Sequence, residues 1–150
     1  MATPLTFGGS ETFSAPQERL FTALTDLDEL ATTIPDLVSS ERIDERTLNC
    51  VVRPGFSFLR GTLRLAIKIV ELQPPQSARM DVTADGIGTH ITVESDLKIE
   101  PTDGGSRLDW TATVVELKGL VATVSRPLIS AAAERTIQNA WAKIHAKLGA

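Results

Sequence analysis

Acid–base, nucleophilic or metal chemistry in this 150-residue chain would have to come from two histidines, one cysteine and scattered carboxylates and hydroxyls. His90 shares the polar phase of a predicted strand with Glu94 and Asp96, which supplies the residue types of an acid/base cluster. That phase of a half-buried strand faces water, so the expectation is a solvated surface. His145 falls at the edge of a predicted helix, one turn after Trp141, and reads as a surface or cap residue. Two separated histidines and one cysteine make no zinc site. Cys50 is in phase with Leu48 and Val52, which predicts a buried, inert thiol. Gly86-Ile87-Gly88-Thr89 precedes a strand and lacks the Lys and Ser/Thr ending of a phosphate loop. Asp26, Asp28, Glu29, Asp44 and Glu45 read as cap and turn residues, not as the facing carboxylates of glycoside chemistry. No serine has a histidine in the same face and phase. Arg53 and Arg60 flank the Pro54-Gly55-Phe56 corner. They are ordinary solvated residues there or, at the mouth of a cavity, partners for an oxygenated ligand head. The sequence thus predicts no catalytic residue, no metal site and no cofactor.

Composition narrows the class. A single domain over residues 1–150, at 16.2 kDa, buries about two-thirds of its unfolded surface and needs no staples. Hydrophobic residues at 42% and charged residues at 23% describe a globular chain. A net charge of −4 provides no basic field, so no nucleic-acid partner is expected. One cysteine allows no internal disulfide and points to a reducing, cytoplasmic compartment. The apolar run from Leu128 to Ala133 is too short to span a bilayer. Met1-Ala2-Thr3-Pro4 does not begin a signal peptide.

These side chains must be positioned by elements that the periodicity reveals. Residues 3–13 read as an opening strand, and Ser14-Ala15-Pro16-Gln17 as a capping box before a short helix carrying Leu20, Phe21 and Leu24. Asp26 opens a second short helix to about Thr33. A β region follows with period two: Leu48/Cys50/Val52, Leu63/Leu65/Ile67/Ile69, Ala78/Met80/Val82/Ala84, Ile91/Val93/Ser95/Leu97/Ile99 and Leu108/Trp110/Ala112/Val114. One apolar face and one polar face mean an antiparallel sheet. Asp103-Gly104-Gly105 is a hairpin turn, and Gly61 is expected to mark a bulge. From about Val121 to Leu148 the period becomes helical, with Val124, Leu128, Ala132, Ile137, Trp141, Ile144 and Leu148 on one face. The predicted fold class is α+β. A bent antiparallel sheet of about seven strands wraps a long C-terminal helix, and two short helices lie between strands 1 and 2: a helix-grip.

Phe13-Ser14-Ala15-Pro16 with Glu18-Arg19-Leu20-Phe21, Leu30-Ala31 through Ile34-Pro35-Asp36-Leu37, Gly61-Thr62-Leu63-Arg64-Leu65, Gly104-Gly105-Ser106-Arg107-Leu108, and the helix from Leu128 to Leu148 carry a resemblance. In these stretches the chain resembles the carbon monoxide dehydrogenase G-subunit family, within the START-like, polyketide cyclase superfamily. The chain departs from the family's pattern at Asp36, where many relatives carry Gly, in the reduced turn Gly86-Ile87-Gly88, and at Ala140-Trp141, which replaces an aromatic pair.

A strongly bent sheet gripped by one straight helix leaves space between them. Here the inferred inner face includes Gly61, Ala78, Ala84, Ser95 and Ala112, and the helix adds Ala131, Ala132, Ala133 and Ala140. Small residues opposite small residues either let the helix sit tight or leave a pocket. The expected pocket wall is Phe56, Phe58, Leu65, Met80, Ile91, Ser95, Trp110, Val114, Leu128, Ala132 and Trp141. Burying roughly 300 Å² of ligand carbon there is worth about 7 kcal/mol gross, enough for micromolar binding after ordering costs.

The resemblance implies a binding protein for a hydrophobic small molecule, with a lipophilic quinone as a reasonable ligand. It also implies an accessory role to an aerobic molybdenum hydroxylase complex. Peripheral contact with the inner face of the membrane is a further expectation. Two alternatives remain open. One is a cyclase- or aromatase-like enzyme using Ser95, Arg53, Arg60 and Glu116. The other is an assembly adaptor with a filled core and an apolar patch on the short helices or near Leu59 and Leu117.

Overall fold

Strict alternation of apolar and polar residues becomes a single antiparallel sheet. A computed structural model of the chain describes residues 5–54 and 61–149. The elements are β1 (Leu5–Phe13), α1 (Gln17–Thr25), α2 (Leu27–Ala31), β2 (Leu37–Asp44), β3 (Thr47–Val52), β4 (Leu63–Gln73), β5 (Ser77–Gly86), β6 (Thr89–Thr102), β7 (Gly105–Gly119) and α3 (Arg126–Leu148). A 3-10 turn, Leu120–Thr123, joins β7 to α3. The seven strands pair in the order β1-β7-β6-β5-β4-β3-β2. The chain is α+β with a long closing helix, as the alternation and the change of period predict.

Register aligns the apolar phases across the sheet. Leu48, Ile67, Val82, Val93, Val114 and Leu5 form one continuous row. Ile69, Met80, Ser95, Ala112 and Phe7 form the next. Both lie on the side that carries the helices. A bulge between Thr92 and Val93, opposite the Val114–Glu116 segment, keeps Val114 and Leu117 in phase while leaving Val115 exposed.

Two packed clusters hold the helices. Phe13, Leu20, Phe21, Leu24, Ile99 and Leu108 meet Trp141 and Ile144 of α3. Leu27 and Ala31 of α2 meet Leu48, Cys50, Ile67, Ile69 and Met80. Burial alone pushes the Cys50 thiol upward, as an inert core cysteine requires. Ser106 is fully buried and donates to the Ala15 carbonyl at 2.8 Å, tying the start of β7 to the β1–α1 corner. That corner explains Gly105, where a Cβ would stand 1.9 Å from the Phe13 carbonyl oxygen.

Local features differ from the sequence reading in five places. Pro16, not Ser14, is the N-cap of α1, and no side chain caps it, so Ser14 lies too early to close a box. Asp26 does cap α2, accepting from the amides of Asp28 and Glu29 at 3.0 and 3.3 Å. The closing helix starts at Arg126 rather than Val121, because Pro127 fits only a first turn and Ser125 is still extended. Of the expected inward face Trp141 and Ile144 are buried, but at its start Ile129 is buried in place of Leu128, which is 43% exposed. Gly61 sits ahead of β4 at a φ of 118° instead of inside a strand, and β2 forms an edge the alternation did not mark.

Candidate functional site

The helix-bearing side of the sheet is buried where α1 and α2 lie on it and only partly covered elsewhere. Ala78, Ile99, Leu108 and Phe13 are buried at one end, Leu63, Ala84, Thr89 and Val121 at the other. Between them Leu65, Val82, Ile91, Val93, Ser95 and Val114 remain partly exposed, although they share the inward phase. The N-terminal half of α3 carries small residues, with Ala132 and Ala133 partly exposed on the turn after Ile129. Ala112 and Phe7, also partly exposed, extend the same floor toward β1.

A cleft of about 360 Å³ opens between edge strand β1 and α3, lined by Phe7, Gly8, Trp110 and Ile137 and rimmed by Glu134 and Gln138. This volume lies within the range of small-molecule sites. Trp110 forms its floor because β1 carries Gly9 opposite: a Cβ on Gly9 would stand 3.4 Å from the indole nitrogen. Trp110 and Trp141 have ring centroids 5.8 Å apart, and Phe13 lies 6.5 Å from Trp141. Two larger open grooves, about 710 and 510 Å³, lie on the opposite face of the sheet. Arg79, Asp96, Lys98 and Asp109 line the first, and Asn49, Arg64, Thr83 and Asp85 the second. Ala78, Leu97 and Ile99 also line the first and Leu65 the second, so the smaller cleft is distinguished by its place between the sheet and α3 and not by the character of its walls.

Of the expected wall residues, Leu65, Ile91, Ser95, Trp110, Val114 and Ala132 are partly exposed, and Met80 and Trp141 are buried beside them. Leu128 is exposed. Phe56 and Phe58, with Leu59 and Arg60, lie outside the described residues. Ser95 donates its hydroxyl proton to the Met80 carbonyl at 3.1 Å. Glu116 stands in the opposite phase, hydrogen-bonded by Thr92 at 3.0 Å and paired with Lys118 at 2.8 Å. Ser95 and Glu116 therefore do not converge on one site, and Arg53 is an exposed residue whose amide bonds the Asp36 carbonyl.

His90 is on the polar face, as its phase predicts, but its partners are not Glu94 and Asp96. Cross-strand register brings Asp85 to Nδ1, and Thr92 and Glu116 to Nε2 at 3.1 and 3.5 Å. The Asp85 carboxylate raises the His90 pKa above the ordinary imidazole value. Hydrogen bonds from Lys118 and Thr92 hold the Glu116 carboxyl down at about 2. With both ring nitrogens facing carboxylates, this is a charged clamp across β5, β6 and β7. Among the described residues no group of His, Cys, Asp and Glu is placed to hold a metal ion.

His145 departs from its expected surface role. It stacks on Phe13 with centroids 4.3 Å apart and meets Glu11 Oε1 at 3.1 Å. Sequence reasoning missed both Glu11 and Gly9. A carboxylate and a glycine in the inward phase of an edge strand carry no local signal of what crosses them.

The family model of the carbon monoxide dehydrogenase G subunit (CoxG) matches residues 9–149. No curated protein gives a significant sequence match. A conserved protein from Geobacillus kaustophilus has a similar structure at a TM-score of 0.88 and 21% identity, covering 97% of this chain and 95% of that one. A START superfamily protein from Mycobacterium smegmatis is similar at 0.73 and 12% identity, covering 96% and 97%. A Rhizobium loti protein is similar at 0.71 and 17% identity, covering 97% and 98%. At these identities the likeness is one of fold.

Proposed function

Because the chain belongs to the carbon monoxide dehydrogenase G-subunit (CoxG) family, we propose that it is an accessory protein that shelters a hydrophobic small molecule between its sheet and α3. The observation that carries this reading is the partly exposed apolar middle of the sheet under a small-residue helix face. A lipophilic quinone is the ligand that suits an aerobic molybdenum hydroxylase partner, whose electrons must reach a respiratory chain. A cytoplasmic position with peripheral membrane contact fits that exchange, and no helix among the described residues is long and apolar enough to cross a membrane. Among the described residues, Ser95, Arg53 and Glu116 do not gather, and binding, not catalysis, is the reading we adopt.

The experiment is extraction and titration. Protein incubated with cell lipid extract and repurified should retain a lipophilic compound detectable by mass spectrometry. A short-chain quinone at about 100 times its Kd should stabilise the fold by about 2.7 kcal/mol, which is several degrees in Tm for a domain this size. Retention of nothing, with no melting shift for any quinone tried, overturns the carrier function.

A further inference from the structure

We infer that a single proton on His90 regulates access to the ligand site, by fixing or freeing the segment that leads into α3. This rests on the carrier reading above and adds its regulation.

That segment is held at few points. Leu120 donates its amide to the Gly88 carbonyl at 2.9 Å, and Val121 donates its amide to Thr89 Oγ1 at 3.3 Å. Thr89 and Val121 are both buried. From Val121 to Trp141, only Ile129 between them is buried. The first half of α3 therefore depends on this anchor, whereas its last turns are pinned by Trp141, Ile144 and the His145–Glu11 contact.

The anchor and the His90 clamp occupy the same strand ends. Thr89 pairs with Gly119, and the adjoining residues His90 and Lys118 pair with each other. Successive side chains of a strand point to opposite faces, so Thr89 meets Val121 on one face while His90 meets its partners on the other. The charged groups facing His90 are Asp85 of β5 and Glu116 and Lys118 of β7, with Arg64 of β4 beside Asp85 in register.

One proton sets the direction of every hydrogen bond in the clamp. With both ring nitrogens protonated, Nδ1 donates to Asp85 and Nε2 donates to Thr92 Oγ1, leaving the Thr92 hydroxyl hydrogen for Glu116. The chain of donors then runs unbroken from β6 to β5 on one side and to β7 on the other. Without the Nε2 proton, that nitrogen and Glu116 compete for the one hydroxyl hydrogen of Thr92. The link toward β7 is broken, and the charge that held Asp85 and Glu116 is gone. Asp85 first, then Glu116, favours the protonated ring. The clamp is closed in acid and loosens as pH rises through the His90 titration.

The test measures amide hydrogen exchange of Leu120 and Val121 by NMR at about pH 6 and about pH 8.5, with the His90 imidazole titrated in the same samples. Their protection factors should fall about three- to fivefold across the His90 titration, as loss of a partly exposed ion pair allows. The amide of Ile99, bound to the Gln76 carbonyl at the other end of β6, should not respond. His90→Gln and Thr92→Val should show the low protection at both pH values, the second although its His90 still titrates. Release of Nile red, a neutral hydrophobic fluorophore, should quicken with the same midpoint in stopped-flow dilution. Protection that ignores pH in the unmodified protein, or that changes equally in either variant, overturns the inference. So does a release rate that ignores pH while the amides respond. If Nile red does not bind, the carrier reading falls with it, and the amide protection, read without ligand, decides whether His90 governs the anchor.

Discussion

Glu11 of β1 and His145 of α3, 134 residues apart in sequence, meet through a 3.1 Å contact between Oε1 and Nε2. Both side chains are about three-quarters buried, and the imidazole lies flat on Phe13. The pair pins the closing helix to the edge strand beside the cleft. A double-mutant cycle of Glu11→Ala and His145→Ala should give a coupling energy of about 0.5–1 kcal/mol in urea unfolding. His145→Ala should cost more than Glu11→Ala, because it also removes the stacking on Phe13. Additive effects would show that the contact holds nothing.

The clamp around His90 makes stability depend on pH in a defined direction. Its pKa is raised in the folded protein from an ordinary 6.5, so its contribution is complete below 6.5 and fades as pH rises through the folded value. Glu116 is depressed from 4.5 to about 2, so its contribution is complete above 4.5 and is lost as pH falls toward 2. The Tm difference between the unmodified protein and His90→Ala should therefore be largest between about pH 4.5 and 6.5. It should shrink on either side. A difference that grew above pH 7 would contradict the assigned partners.

Filling the open middle tests where the ligand sits. Ala132 is partly exposed in the N-terminal half of α3, on the turn after the buried Ile129. Ala132→Phe should abolish retention of lipophilic compounds while leaving the circular dichroism spectrum and cooperative unfolding intact. Unchanged retention by the folded variant would place the site elsewhere.

Two backbone positions should respond in opposite ways. Asp36 adopts a φ of 60°, a left-handed conformation that costs a residue with a Cβ about 1–2 kcal/mol and glycine almost nothing. Asp36→Gly should be neutral to stabilising by up to about 1 kcal/mol, since added freedom of the unfolded chain offsets part of the relief. Gly105→Ala should destabilise by more than about 2 kcal/mol, because the new methyl would overlap the Phe13 carbonyl and force β7 away from the corner. Urea midpoints of the two variants decide both outcomes.

The sequence by itself determined the sheet and its two faces. Period two is local, and burial of one phase leaves no freedom in which face each residue joins, so β3 to β7 and the polar placement of His90 were legible. Strand β2 was not, because an edge strand exposed on both faces has no alternation to read: Val38 and Ile43 are both exposed. The helix start depended on Pro127, a single local constraint whose consequence for Leu128 and Ile129 appears only once the helix has a phase. What the tertiary structure alone decided is every meeting between distant strands. Register chose Asp85 and Glu116 for His90, set Gly9 beneath Trp110, and laid His145 against Glu11 and Phe13. Those pairings depend on which strand lies beside which and at what offset. Hydrophobic burial fixes the offset only to the nearest face, and the packing of the whole sheet fixes the rest.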